Sequence, residues 1–371
     1  MRSRAHIVNR KWKIAVVLFA IHILLFTPFA VVEAAFLETP ATARLAALGG
    51  SYVAIADDAA TLTANPAGLG TVRRPEVAAD YSRIYTGLSD SLQISHYYLG
   101  AALPLRAGGT LAAGFKEFDF GSLYSERVLS IGYGRWWTSR LALGANVKQL
   151  HHSYSVPTQT VDDFGNVQNG TPDFFTQNGS AKSAYSADLG ALYKCGTKTT
   201  LGLAVQDINE PNVALSPDDN DPVARTVRAG LAYQMNPGLT LASAVDTREA
   251  LPHQRDWIWT GGTEWKGLQT AAGGFPLRGS ITVGSREYRQ GAVGAGYIVG
   301  ELQLDYAFMM GISGLTFGDS TGTHRFSMTY RFGDTNKNNL ASSSIPGPSH
   351  AKTPAIRTIE IEFLLEDPAR T

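Results

Sequence analysis

A single cysteine, Cys195, stands in 371 residues. That excludes an intramolecular disulfide, a multi-cysteine zinc site and an iron–sulfur cluster, and leaves Cys195 as a small packing residue. Neither sign of charge is in excess: 32 Lys and Arg face 32 Asp and Glu, so the net field offers nothing to nucleic acid or to a strongly charged partner. Charged residues make up only 17% of the chain, below the ~25% of soluble domains. The G-x-S-x-G elbow of a serine hydrolase is also missing. The glycine run Gly291 to Gly296 (GAVGAG) falls inside a strand pattern rather than between a strand and a helix, which argues against nucleotide binding. Ser, His and Asp all occur, but no spacing among them supports a hydrolase. The chain therefore reads as a non-enzyme with no cofactor.

What is present points to a membrane. The 38 Gly exceed the usual ~7%, and with so few charges this suits strands that face lipid and pack tightly. Residues 1–34 carry Arg2, Arg4, Arg10, Lys11 and Lys13, then an apolar run from Ile14 to Val32, then Val32-Glu33-Ala34. This is the pattern of a secretory signal cut after Ala34. The run also approaches the length of a retained transmembrane helix, but the late Pro28 and the small-residue end fit a signal better.

From Pro75 to Phe332 apolar residues recur at period two, as in strands with one apolar and one polar face. Leu129, Ile131 and Tyr133 alternate with Ser130, Gly132 and Gly134, and near the end Phe326, Met328, Tyr330 and Phe332 alternate with Arg325, Ser327, Thr329 and Arg331. The predicted strands are 75–85, 91–104, 109–120, 126–137, 141–154, 182–195, 199–208, 224–235, 239–249, 256–266, 275–286, 290–298, 301–310 and 323–332. Their even number predicts a fourteen-stranded antiparallel transmembrane β-barrel, all-β, spanning 75–333. If strand one starts in the periplasm, the long connections 155–181, 209–223 and 311–322 all follow odd strands and lie outside the cell, while the connections after even strands are short. The segment 267–274 is the exception, because Gly273-Gly274 and Pro276 blur its ends. Tyr81, Tyr85, Tyr97, Tyr98, Trp136, Trp137, Trp257 and Trp259 cluster near strand ends, and as a set they predict aromatic girdles at the two interfaces.

Before the strands, residues 35–74 follow a different rule. This stretch is Ala-rich and capable of short helices, with Asp57-Asp58 followed by the breaker cluster Asn65-Pro66-Ala67-Gly68. A lumen plug, a periplasmic arm and a linker all fit such a segment. Adjacent carboxylates usually diverge, so Asp57 and Asp58 read as caps or turn-bonding groups rather than a catalytic pair, with gating as their functional use. His151-His152 project to opposite strand faces and do not converge on an ion. Asp162-Asp163 with Asn166, and Asp218-Asp219-Asn220-Asp221, lack the alternating acidic spacing of a calcium loop and read as solvated loops, so no metal site is expected. Residues 334–371 become polar and Ser/Pro-rich and end in Ile359–Leu365, which predicts a periplasmic tail, flexible or docked on a partner.

Five stretches carry a family likeness. Leu48-Gly49-Gly50, Ala54-Ile55-Ala56-Asp57-Asp58-Ala59 and Asn65-Pro66-Ala67-Gly68-Leu69 resemble the PorV/PorQ family of the wider FadL-like superfamily. Leu304-Asp305-Tyr306-Ala307-Phe308 and Gly322-Thr323-His324-Arg325-Phe326-Ser327 resemble its closing strands. The likeness covers roughly 36–333 and implies a fourteen-stranded outer-membrane barrel whose N-terminal hatch holds the Asn-Pro-Ala element. It makes Asp57, Asp58, Asn65, Pro66, Ala67 and Gly68 latch or gate candidates. FadL-like members pass hydrophobic compounds; PorV-like members bind exported proteins with the type IX secretion apparatus. The expected partners are outer-membrane lipids, hydrophobic small molecules or exported proteins, and the barrel-assembly machinery, with no nucleic acid. The terminal tail departs from a barrel that ends on its last-strand aromatic.

Overall fold

The computed structural model describes residues 35–333 apart from 37–38, 88–92, 107, 157–158, 162–166, 252–253, 271–272 and 314–319. The signal expected over 1–34, the loop acids Asp162, Asp163 and Asn166, and the tail 334–371 lie outside the described residues.

Fourteen strands close into one antiparallel barrel. In chain order they are β1 (Glu76–Ile84), β2 (Ile94–Pro104), β3 (Thr110–Phe120), β4 (Tyr124–Trp136), β5 (Leu141–Tyr154), β6 (Ala181–Lys194), β7 (Thr199–Gln206), β8 (Thr226–Asn236), β9 (Leu239–Leu251), β10 (Gln254–Thr270), β11 (Gly273–Gly284), β12 (Arg289–Val299), β13 (Leu302–Gly311) and β14 (Thr323–Arg331). Each pairs with its neighbours in sequence, and β1 closes on β14 from Glu76↔Arg331 to Arg83↔His324. Closure leaves no edge strand with unpaired backbone, which a span through lipid requires.

The period-two pattern sets which side faces out. Leu129, Ile131, Phe326, Met328 and Tyr330 are exposed on the outer wall, while Ser130, Arg325, Ser327 and Thr329 are buried inside. The same alternation splits the expected girdle. Tyr97 is 40% exposed and Tyr98 only 2%; Trp137 is exposed, whereas Trp136 packs on the interior cluster around Tyr98 and Leu192. Tyr98 and Trp136 therefore line the lumen, because neighbours along a strand cannot share a face.

Connections sort by end. Those after β5, β7 and β13 are the long ones, and the first holds a two-stranded hairpin (Gln159–Val161 with Val167–Asn169) and the short helix Asp173–Asn178 rather than plain loop. The ambiguous segment 267–274 resolves into strand. β10 runs on to Thr270 and β11 begins at Gly273, with a register shift between Trp265 and Leu268. Pro276 sits opposite that shift, where its missing N–H costs no ladder bond.

Inside the barrel lies the stretch from Ala41 to Val72. It forms α1 (Ala43–Leu48), a 3₁₀ turn (Gly49–Ala54), α2 (Thr61–Ala64) and a second 3₁₀ turn (Pro66–Thr71). Thr42 caps α1 by accepting from the Leu45 N–H, and Asn65 caps the last turn with Pro66 in its first position. Small side chains suit the space: Ala43, Ala46, Ala47, Ala54 and Ala67 are all at or near zero exposure. The wall is small in turn. A Cβ at Gly144 would overlap Pro66 and Ala67, and one at Gly262 would overlap Ser51. Much of the glycine excess thus serves the inner wall against this segment, rather than the lipid face.

Replacing Gly144 by Val is expected to destabilise the seating of the segment by about 1–3 kcal/mol, the usual cost of overpacking. Gly291→Ala, where a Cβ meets nothing nearer than 3.8 Å, should be close to neutral. Hydrogen exchange of residues 43–71 in the reconstituted protein measures the difference.

Candidate functional site: the luminal segment and its ion pairs

The luminal segment is held at three places, two centred on an arginine and one on a glutamate. At the first, Arg44 on α1 donates from Nη1 to Asp57 Oδ1 (2.6 Å) and Asp58 Oδ2 (2.7 Å). Its Nε and Nη2 form a fork on Glu264 of β10, both at 2.8 Å. Glu264 also accepts from Arg278 Nε of β11 at 2.7 Å, and Arg278 Nη1 reaches Asp305 of β13 at 2.6 Å. That last pair spans β12, and it can do so because Gly296 lies between: a Cβ there would collide with Asp305.

Asp57 and Asp58 therefore converge, contrary to the expectation from their adjacency. The backbone turns sharply at Ala56, whose φ is +34°, and a single guanidinium draws both carboxylates together. They still differ in environment, since Asp57 is exposed and Asp58 buried. Asp58 Oδ1 accepts from the Tyr52 hydroxyl (2.7 Å) and from the Ala60 N–H (3.0 Å), a turn bond just ahead of the helix α2, which itself has no side-chain cap. Burial alone would raise the Asp58 carboxyl, but the Arg44 charge and the hydrogen bonds from Tyr52 and Arg44 outweigh it and hold the carboxyl below its ordinary range.

The second clamp lies at the start of α1. Arg325 of β14 is 1% exposed and donates to Asp80 Oδ1 (2.8 Å), Ser82 Oγ (3.0 Å) and the Pro40 carbonyl. Ser327 Oγ accepts from the Ala43 N–H at 3.1 Å. The third is Glu76, which accepts from the Ala59 N–H and from Arg331 Nε, both at 3.0 Å.

The breaker cluster works through its amide. Asn65 Nδ2 donates to Val53 O (2.8 Å) and to Ala191 O of β6 (3.2 Å), while Oδ1 accepts from the Ala67 N–H (3.2 Å). One side chain thus joins two turns of the luminal segment and the wall. Gly68 is hemmed in by Thr61 and the Ala56 carbonyl, where a Cβ has no room. Pro66 and Ala67 lie against Gly144.

Toward the loop end, a cavity of about 50 Å³ remains beside the segment, with Phe36, Val128 and Leu150 on one side and Lys148, Asp188 and Asp207 on the other. Lys148 Nζ pairs with both aspartates at 2.8 Å. His152 faces inward and meets the Val213 carbonyl (2.8 Å), while His151 contacts Ser183. Among the described residues, no three His, Cys, Asp or Glu gather as metal ligands. In the acidic loop, Asn212 donates to the Asp219 carbonyl and accepts from the Asp221 N–H.

With this geometry in view, comparison with known proteins is informative about the fold. The solved TodX deltaS2S3 mutant monoaromatic hydrocarbon channel is similar at a TM-score of 0.56 and 16% identity, over 78% of this chain and 98% of that one. A Pseudomonas aeruginosa FadL homologue gives 0.55 at 12% identity, over 81% and 100%. The Pseudomonas putida toluene transporter TodX gives 0.53 at 14%, over 82% and 97%. The chain has the FadL-type barrel fold. A family model described as "F plasmid transfer operon, TraF, protein" matches residues 114–252, less than half of the chain. Comparison with curated proteins gives no match.

Among the pairing groups, the sequence patterns had picked out Asp57, Asp58 and Asn65 but missed Arg44, Glu264 and Arg278. Asp305 and Arg325 do fall in the closing-strand motifs, and the signal for Glu264 and Arg278 was a charged residue at a lumen-facing strand position; Arg44, in the helix α1, carried no such signal. Arg44→Met leaves the buried Asp58 without its cation, while Glu264 keeps Arg278, and it is expected to cost about 3–5 kcal/mol, as for other broken buried pairs. Hydrogen exchange over 43–71 would show the loss while the strands stay protected. Because the folded Asp58 value lies below the unfolded one, its contribution is present above about pH 4 and lost as pH falls through the folded value. Protection of the Ala60 amide should fall with acid in the native protein, and Asp58→Asn should remove that dependence.

Proposed function

We propose that the protein is an outer-membrane channel for hydrophobic small molecules, with the segment 35–74 as its plug and Asp57, Asp58, Asn65, Pro66, Ala67 and Gly68 as latch residues. The observation that carries this reading is a closed barrel whose lumen is filled by a segment joined to the wall through a few arginine pairs and the side-chain amides of Asn65, Asn146 and Gln206. Such a segment has discrete contacts to release, and a cargo that binds the released arrangement better shifts the equilibrium toward it. The apolar group at the loop end, Phe36 with Val128, Leu150, Val213 and Val223, suits the greasy part of a cargo. The FadL-type fold, shared with proteins described as hydrocarbon channels and a toluene transporter, supports the same assignment. An exported, outer-membrane location with the long loops outside accords with it.

A second reading follows from how fully the latch is satisfied. Arg44, Glu264, Arg278 and Asp305 form a continuous buried network, and a plug so held suits a closed anchor of PorV/PorQ type that binds exported proteins through its long loops. Uptake of a radiolabelled apolar tracer into proteoliposomes separates the two. The channel reading expects deletion of residues 48–70 to raise uptake at least severalfold; equal uptake by intact and deleted protein sinks it. Cross-linking in native membranes that captures a stable exported protein would favour the anchor.

A further inference from the structure

We propose that the outer wall made by β1, β14, β13 and β12 binds a phosphorylated glycolipid of the leaflet at the loop end. This site is on the lipid-facing surface, so the inference stands whether or not the lumen conducts.

The wall there is not flat. Two rows of outward side chains run across the four strands. Tyr81 is in register with Phe326, Phe326 with Tyr306, and Tyr306 with Ala295. In the row below, Ala79 is in register with Met328, Met328 with Leu304, and Leu304 with Tyr297. Each row ends on an alanine, at opposite edges, so large side chains flank a hollow that opens diagonally. Its volume is about 570 Å³, and it is open to the surroundings along its length. On a wall that faces hydrocarbon, such a hollow is filled by an acyl chain rather than by water. The rings around it are braced against each other, with Tyr306 and Phe326 centroids 4.8 Å apart.

Two residues further toward the loop end, on the same outward face, stand Arg83 on β1 and His324 on β14, which are register partners. That offset is about 7 Å along a strand. The His324 ring is fixed by a 2.8 Å hydrogen bond between Nδ1 and the Tyr306 hydroxyl, so a side chain of the hollow also orders the polar group above it. Arg83 makes no side-chain hydrogen bond or ion pair with the described residues. A guanidinium on the lipid face of a barrel is costly unless it meets an anion near the interface, and a phosphate oxygen pair matches its donor fork. Cation above and acyl hollow below are complementary to a lipid with a phosphate-bearing head. Phosphorylated glycolipid supplies both parts in the leaflet that the long loops of an outer-membrane barrel face.

The test uses the full chain in detergent, exchanged with purified lipid A or with the same lipid stripped of its phosphates, and read by native mass spectrometry. The phosphorylated form should be retained at least fivefold more. Arg83→Gln should abolish that preference, and Ala295→Trp, which fills the hollow, should lower retention of both lipids. Leu129→Trp, on the wall away from the site, should change neither. Equal retention of the two lipids by the native protein overturns the proposal, as does an Arg83→Gln variant with its preference intact. Displacement of lipid A by millimolar inorganic phosphate would likewise overturn it, since the site would then be one for free anions. Heat-modifiable electrophoretic migration verifies that each variant keeps its barrel, so that lost retention is not lost fold.

Discussion

A guanidinium taken out of water must be met by carboxylates, and in this protein the lumen is organised around that requirement. Arg44 sits 8% exposed in the middle of a barrel, and Asp57, Asp58 and Glu264 converge on it. The first two come from its own segment and the third from the wall. Any path that withdraws the segment must separate these charges or carry water in to them. Leaving one partner behind costs several kcal/mol, whereas hydrating both sides together costs far less. The arrangement therefore distinguishes concerted release from piecemeal fraying.

The wall is adapted to this interior. Its inward positions alternate between glycine, where the backbone of the segment comes close, and charged or hydroxylated groups that bond to it. Gly190 abuts Asn65 while β6 offers the Ala191 carbonyl to the same side chain. Gly296 clears the line along which Arg278 reaches Asp305. Outside, the same strands carry Leu, Ile, Phe and Tyr. One alternating pattern thus serves two solvents, lipid on one face and a packed polypeptide on the other, which explains how a neutral chain low in charge still holds many buried ion pairs.

The strands were legible because period two is a local property: a residue's face follows from the parity of its position. The fourteen strands are recoverable from that parity, and the sorting of the connections from their lengths. Where it was not applied residue by residue, the reading failed. Tyr97 and Tyr98 cannot both belong to a girdle, and Tyr98 lies inside. The link between β10 and β11 was obscured because a bulge and Pro276 break the pattern at the point where a turn would break it too.

The sequence by itself determined the alternation, the strand number and the special character of the stretch from Leu48 to Gly70, since each rests on neighbours within a few residues. Only the tertiary structure decided what Asp57 and Asp58 do. Their partner Arg44 is 13 and 14 positions away and Glu264 is 220 positions beyond Arg44, and no local rule links such positions. Ring closure does so, because it brings β10, β11 and β13 around a segment that precedes them all. Adjacent carboxylates that would otherwise diverge into solvent are then drawn to one buried cation.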